Sequence, residues 1–348
     1  MTPETLRAAL RATHPEWADA PLQPLADSGL AHQHVRLQGT GVLARLPKQS
    51  QLGLPPEANL RHQAACFERA AASGHTPRLL GVLPVGPHLP RGGLLVQDIA
   101  GRPPALPREL PALARALAAI HRLPLPVPSQ RAPLADPRDP LKELLAEIGQ
   151  QARYVAEAGL DDAVRAWIAD ELRALEDLAA RAQRPARCLI AFDGHPGNFL
   201  IRADGEAVLV DLEKCRYGYP GLDLAHATLL TSTTWDVATR AVLTPTEVAG
   251  FIDAWSQAVG AEPAQAARPW HLPLRRAMAL WSLTWCCKWR VLSRLPAAAP
   301  EVGEDWSSSR SDPALVAHVR ERVDHYLSAE AMAFQRAEWA ELARHLPT

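Results

Sequence analysis

Short apolar or alternating runs, bounded by glycine and proline, crowd the first hundred residues, and longer stretches of helical spacing fill most of the remainder. Residues 25–46, LADSGLAHQHVRLQGTGVLARL, read as two strands about a Gly-Thr-Gly turn. Val42, Ala44 and Leu46 alternate with Leu43 and Arg45, which puts Arg45 on the face of Leu43. A helix is predicted over 57–73, and two more strands, LLGVLPV and GGLLVQDI, within 79–98. Helical spacing then runs through LPALARALAAIHRLP at 110–124. After a proline-rich loop at 124–140 it returns over about 141–158 and 161–182. A second strand-rich island interrupts it. Cys188-Leu189-Ile190 runs into a polar loop, Phe199-Leu200-Ile201 is a short apolar strand, and residues 207–210 return after an Asp204-Gly205 turn, the strongest hairpin dipeptide. Residues 226–348 read as helix throughout, and the N-terminal MTPETLRAALRATHPEW as an amphipathic helix. A strand-rich start and a mostly helical remainder predict an α+β fold.

The chain has 348 residues, long for one core, which suggests two lobes. With 47% hydrophobic residues it can bury a sizeable interior. A net charge of −1 gives no electrostatic case for nucleic acid or an anionic membrane as partner. The five cysteines form no CxxC pair and no metal-ligand spacing, so reduced thiols and a cytoplasmic location are expected. The N-terminus lacks a basic region followed by an apolar run, and no stretch of about 18 apolar residues predicts a membrane span. No period of about 20–50 residues recurs, which excludes a helical-repeat architecture.

Candidate chemistry concentrates in residues 189–225. Asp193 is followed by Asn198 and then, after the hairpin, by Asp211. Phosphoryl transfer from ATP needs such a set: one carboxylate beside the attacking hydroxyl, and an amide oxygen with a second carboxylate for the magnesium on the phosphates. Asn198 and Asp211 flank the hairpin, whose paired strands lie ~5 Å apart, so both side chains can reach one cation. Magnesium takes few protein oxygens alongside phosphate and water, which suits one Asn and one Asp. Upstream, Asp27-Ser28-Gly29 suits a tight turn whose backbone amides face phosphate oxygens.

The motifs AFDGHPGN at 191–198, VDLE at 210–213 and GYPGLDLA at 218–225 resemble those of the aminoglycoside phosphotransferase and choline kinase superfamily, small-molecule relatives of protein kinases. The resemblance implies a bilobal protein-kinase-like fold. Residues 1–98 would form a small antiparallel-sheet N-lobe, residues 99–348 a mostly helical C-lobe, and ATP with Mg²⁺ would bind between them. It implies Asp193 as the base or hydroxyl-orienting residue, Asn198 and Asp211 as metal ligands, and Asp223 as the carboxylate bracing the catalytic loop. Gly29 would lie in the element covering the phosphates, and Arg45 would be the phosphate-binding cation of the third strand, with Gln63 or Glu68 as its partner. Gln97 and Ile99 would belong to the adenine-binding hinge, and the helices of 141–182 would help to build the pocket of a small hydroxyl-bearing acceptor.

One position departs from the pattern. Ala191 stands where the family usually has a supporting His, which weakens the loop's support and leaves every reacting group in place. The alternative is a degenerate pseudokinase that binds nucleotide as a scaffold. His195, inside the loop, is a solvated or capping residue unless it reaches substrate. Most of the ten tryptophans lie past residue 226, and Trp281, Trp285 and Trp289 form one helical stripe. That stripe is a buried helix face or, alternatively, an aromatic box for a quaternary ammonium held by cation–π attraction of ~1–2 kcal/mol per ring. Glu213, Asp236, Glu247 and Asp253 are the acidic residues available to line a cleft for a cationic acceptor.

Overall fold

The computed structural model describes residues 2–25, 31–294 and 313–346. Helix α1 (Pro3–Thr13) begins at Thr2, whose hydroxyl accepts from the Thr5 amide, and Pro3 occupies the first turn, where its missing N–H costs nothing. A five-stranded antiparallel sheet follows in the order β1-β2-β3-β5-β4: β1 (Leu22–Pro24), β2 (His32–Leu37), β3 (Val42–Pro47), β4 (Leu79–Leu83) and β5 (Gly93–Gln97). Gly39 and Gly41 turn β2 into β3 with φ of 77° and 72°, backbone that favours glycine. The alternation of β3 sorts its faces as the sequence predicts. Val42, Ala44 and Leu46 join Leu6 and Leu10 of α1 in one apolar cluster, while Leu43 and Arg45 face the opposite way. Helix α2 (Pro56–Ala70) covers that other face, with Leu60 and Phe67 packed near Leu94 and Val96. It closes with a single tight turn to Ser73.

The rest is mostly helical: α3 (Leu110–His121), α4 (Pro140–Ala152), α5 (Asp162–Ala180), then after the catalytic segment α6 (Pro220–His226), α7 (Leu230–Thr233), α8 (Pro245–Val259), α9 (Ala261–Ala267), α10 (His271–Leu292), α11 (Pro313–Tyr326) and α12 (Ala329–His345). Between α5 and α6 lie two small antiparallel pairs, β6 (Cys188–Ile190) with β9 (Arg216–Gly218), and the hairpin β7 (Phe199–Ile201) with β8 (Ala207–Leu209). Asp139 caps α4, and Thr244 with Glu247 forms a reciprocal capping box on α8. The protein is thus α+β, bilobal and protein-kinase-like. The helix expected over 141–158 stops at Ala152 and gives way to tight turns, and that over 161–182 spans Asp162–Ala180. The three-residue strands β1 and β9 were not predicted.

One core runs through both parts. Leu60, Phe67 and Leu94 meet Leu113 and Leu117 of α3, Phe199 and Leu209 of the hairpin, and Phe251 and Trp255 of α8. A second core joins α4, α5, α10 and α11. Just past β5, Arg102 makes an isolated antiparallel bridge to β7: its N–H donates to the Ile201 carbonyl (3.0 Å) and its carbonyl accepts from the Ile201 N–H (2.7 Å). A Cβ on the preceding Gly101 would stand 3.0 Å from that Ile201 oxygen, so glycine permits the approach. Among the described residues no helix is long and apolar enough to cross a membrane.

Candidate active site

The loop that follows β6 is held by its backbone. Leaving β6, the chain passes through Ala191 and Phe192, and Phe192 has φ of 59°, the one non-glycine residue with positive φ among those described. Such a conformation is costly for a bulky side chain and persists where its surroundings over-determine it. Asp223, fully buried on α6, supplies the restraint: the Ala191 N–H donates to its Oδ2 and the Phe192 N–H to its Oδ1, both at 2.7 Å. His121, ending α3, lies with Nε2 3.0 Å from Asp223 Oδ2, while its Nδ1 accepts from Trp255 Nε1 at 3.0 Å. The Trp255 donor fixes the tautomer that places the His121 proton on Nε2, toward Asp223. The Phe192 ring is gripped by Trp281, edge-on at 5.3 Å, and by the Arg216 guanidinium 3.7 Å from its centroid. Ala191 is buried in apolar surroundings near α3, so the loop is braced without the imidazole usual at that position.

The loop delivers Asp193 to a cavity of about 440 Å³ whose wall also includes Arg45, Asn198, Asp211, Gln97 and Ile99. Lys214 Nζ lies 3.0 Å from Asp193 Oδ2, and His226 Nδ1 lies 3.8 Å from Oδ1. Burial alone would raise the Asp193 carboxyl, but Lys214, with His195 and His226, outweighs it and holds the group below its ordinary value. The Asn198 side-chain nitrogen donates to the Asp193 backbone carbonyl (2.9 Å), and the Asn198 backbone carbonyl accepts from the Val210 N–H (2.8 Å). The hairpin therefore sets Asn198 and Asp211 side by side. Their donor chemistry fits magnesium: with its nitrogen engaged, Asn198 keeps its amide oxygen free, and Asp211 has Oδ2 left once Oδ1 has taken Arg45 and the Glu213 N–H.

Arg45 is where the expectation needs correction. Neither Gln63 nor Glu68 holds it. Its Nη2 contacts Asp211 Oδ1 at 2.5 Å and His32 Nδ1 at 3.2 Å, and Gln63 reaches it only through His32, whose Nε2 donates to Gln63 Oε1 at 3.0 Å. Glu68 lies on the exposed side of α2. Glu213 lies beneath this cluster, 3.7 Å from His32, and burial, then the neighbouring Asp211, pushes its carboxyl up to about 8. At Asp211 burial acts upward too, but Arg45 prevails and the carboxyl lies well below its usual range. Gly29 lies outside the described residues. Gln97 and Ile99 do line the cavity, though the Gln97 amide is already bonded to the Arg78 carbonyl at 2.9 Å.

The tryptophan stripe divides. Trp289 is buried in the second core, while Trp281 and Trp285 reach the cavity beside Trp235 and Tyr326. Trp281 also donates to Glu147 (2.8 Å) and lies under Lys214, 5.8 Å from its ring centroid. Of the four acidic candidates, Asp236 alone lines the cavity; Glu213 is buried beneath it, Glu247 closes the α8 cap and Asp253 is exposed. A Cβ on Gly197 would meet Asp236 Oδ2 at 2.9 Å, so that glycine lets the carboxylate lie against the loop. His195 lines the cavity rather than capping a helix, with Nδ1 buried. Sequence reasoning missed Lys214, His226 and His32. The available signals were a rare lysine directly after VDLE and a histidine directly after DLA.

Solved structures similar to this one cover nearly the whole chain at low identity. A choline/ethanolamine kinase family protein from Mesorhizobium loti aligns over 99% of this chain and 98% of its own, at 19% identity and a TM-score of 0.62. A Plasmodium vivax ethanolamine kinase aligns over 95% and 88%, at 12% identity and a TM-score of 0.62. A spectinomycin phosphotransferase, solved with ADP and spectinomycin, aligns over 94% and 98%, at 13% identity and a TM-score of 0.58. These likenesses establish the fold. No curated protein matches the chain. The family model described as APH, the phosphotransferase enzyme family, matches residues 22–271, most of the chain, and the protein belongs to that family.

Proposed function

We propose that the protein transfers a phosphoryl group from Mg-ATP to a hydroxyl of a small amine-bearing molecule: an amino alcohol, an amino sugar or an aminoglycoside-like compound. One observation carries the reading: Asp193, carried by a loop that Asp223 pins at the two preceding residues and kept ionised beside Lys214, shares a cavity wall with Asn198 and Asp211. In this reading residues 1–98 serve the nucleotide, and residues 99–348 carry the reacting groups and the acceptor pocket. Asn198 and Asp211 would hold Mg²⁺, which when bound neutralises charge on the phosphates. Arg45 would turn its guanidinium from Asp211 toward phosphate, a role suited to its fixed charge and forked donors. Asp193 orients the acceptor hydroxyl and accepts its proton; the hydroxyl oxygen bonds to the terminal phosphorus, and ADP leaves with the electrons of the broken bond. Positioning and fixed charge supply most of the rate.

The pocket's chemistry supports an amine on the acceptor. Trp235, Trp281, Trp285 and Tyr326 line the cavity together with the Asp236 carboxylate, a mix of aromatic rings and negative charge that suits a cation. Thr231 and Ser232 line the same cavity, their buried hydroxyls without a partner among the described residues, and suit further polar groups of the acceptor. A second reading, a nucleotide-binding scaffold without turnover, is favoured by the closed Arg45–Asp211 contact.

The test is ADP release with Mg-ATP against choline, ethanolamine, amino sugars, aminoglycosides and homoserine. Asp193→Asn is expected to lower kcat by about 10²–10⁴-fold with Mg-ATP binding retained. Equal turnover in variant and wild type refutes the assignment. Silence across the panel with Mg-ATP still bound favours the scaffold.

A further inference from the structure

We infer that the acceptor hydroxyl is seated between Asp193 Oδ1 and His226 Nδ1, while Lys214 keeps the other carboxylate oxygen out of the reaction; this rests on the phosphotransfer reading above. The two oxygens of Asp193 have unequal surroundings. Oδ2 faces the Lys214 ammonium at 3.0 Å. Oδ1 faces His226 Nδ1 at 3.8 Å, too far for a hydrogen bond. A single oxygen about 2.8 Å from each atom would bridge that gap with ordinary hydrogen-bond lengths once a small tilt of the imidazole uncovers Nδ1, which is closed to solvent here.

His226 has features a merely structural histidine would lack. Its side chain is 9% exposed, it lines the cavity, and its Nδ1 is buried with no hydrogen-bond partner among the described residues. Buried polar atoms are nearly always paired, so one aimed at a catalytic carboxylate calls for a partner from outside the chain. Burial pushes the imidazole down to about 4, so the ring is neutral near pH 7 and carries one proton. The Asp193 charge opposite Nδ1 favours that proton on Nδ1. Nδ1 then donates to the hydroxyl oxygen, the hydroxyl donates to Asp193 Oδ1, and a remaining lone pair is free for phosphorus. On attack the proton passes to Oδ1.

The seat is built by one short helix. Asp223, which restrains the two residues before Asp193, and His226 both belong to α6, so one element braces the loop that carries the base and supplies the donor opposite it. The rings of Trp281 (6.2 Å) and His195 (6.0 Å) flank the imidazole.

The closing experiment compares His226→Leu, His226→Asn and His226→Gln in the full chain. It uses the best acceptor found or, where none is found, slow hydrolysis of Mg-ATP by water. The Asn amide nitrogen can take the place of Nδ1; the longer Gln places its nitrogen nearer Nε2. We expect His226→Leu to lose about 10²-fold in acceptor kcat/KM, with Mg-ATP affinity and melting temperature retained. His226→Asn should recover about tenfold and His226→Gln should not. Unchanged kcat/KM in His226→Leu, Gln matching Asn, or a loss tracking Mg-ATP affinity overturns the seat while Asp193→Asn still reports on phosphotransfer. No turnover in the wild type, with water included as acceptor, overturns both.

Discussion

Glu213 and Asp211 stand two positions apart and share Arg45's neighbourhood, yet they hold their protons differently. Asp211, against the guanidinium, is kept ionised; Glu213, buried beside that charge, is pushed up to about 8 from an ordinary 4.5. The folded protein therefore binds a proton at Glu213 that the unfolded chain has already released. Stability from this group is fully present below its unfolded value and falls as pH rises through the window up to about 8. Glu213→Gln removes the titration. Its melting temperature should fall less between about pH 5.5 and pH 8 than the wild type's, by a few degrees, in metal-free buffer. Parallel slopes in calorimetry would refute this. The sequence made Asp193, Asn198 and Asp211 legible because a hairpin and a short loop tie them together locally. Lys214, His226 and His32 were not legible, since no spacing rule places a cation or an imidazole against a carboxylate brought near by tertiary folding. The partner of Arg45, left open between Gln63 and Glu68, was not legible for the same reason: His32 comes between Gln63 and Arg45 from another strand.

At the scale of elements, α10 shows how one stripe can serve two purposes. Trp289 is in the core, Trp281 packs on Phe192 while touching the cavity, and Trp285, less buried, lines the cavity. Trp281→Ala should cost about 3–5 kcal/mol of stability and loosen the catalytic loop. Trp285→Ala should cost less and mainly raise the acceptor KM. Chemical denaturation paired with steady-state kinetics separates them, and identical profiles would refute the division. Periodicity revealed the stripe and not the division, because spacing records which residues share a face and not what that face meets. Strand alternation sorted β3 correctly, whereas β1 and β9 are too short to show a period. Apolar spacing also carried the expected helix over 141–158 past the end of α4, because Val155 and Ala158 still pack inward from tight turns.

At the scale of the molecule, the continuous core from α2 through α3 to α8 makes separate melting of the two lobes unfavourable. A single thermal transition is expected, raised as a whole by Mg-ATP, by about 2.7 kcal/mol at one hundred times its dissociation constant. Two transitions, only one of them shifted, would refute this. The bilobal order was legible through motif resemblance. The cavity wall away from the hairpin was not, because it gathers residues from α7, α10 and α11 that no local pattern connects. The bridge between Arg102 and Ile201 has a mechanical consequence. Upstream, the Asp98 N–H is bonded to the Gly41 carbonyl and its carboxylate to Arg36. Downstream, Arg102 is clamped to the hairpin that carries Asn198 and Asp211. Only a short tether runs between these anchors, with a reach of about 3.5 Å per residue. The sheet can tilt about that tether like the leg of a calliper, but it cannot slide along the hairpin. Any opening between sheet and hairpin would thus change their angle while their spacing along the tether stays fixed.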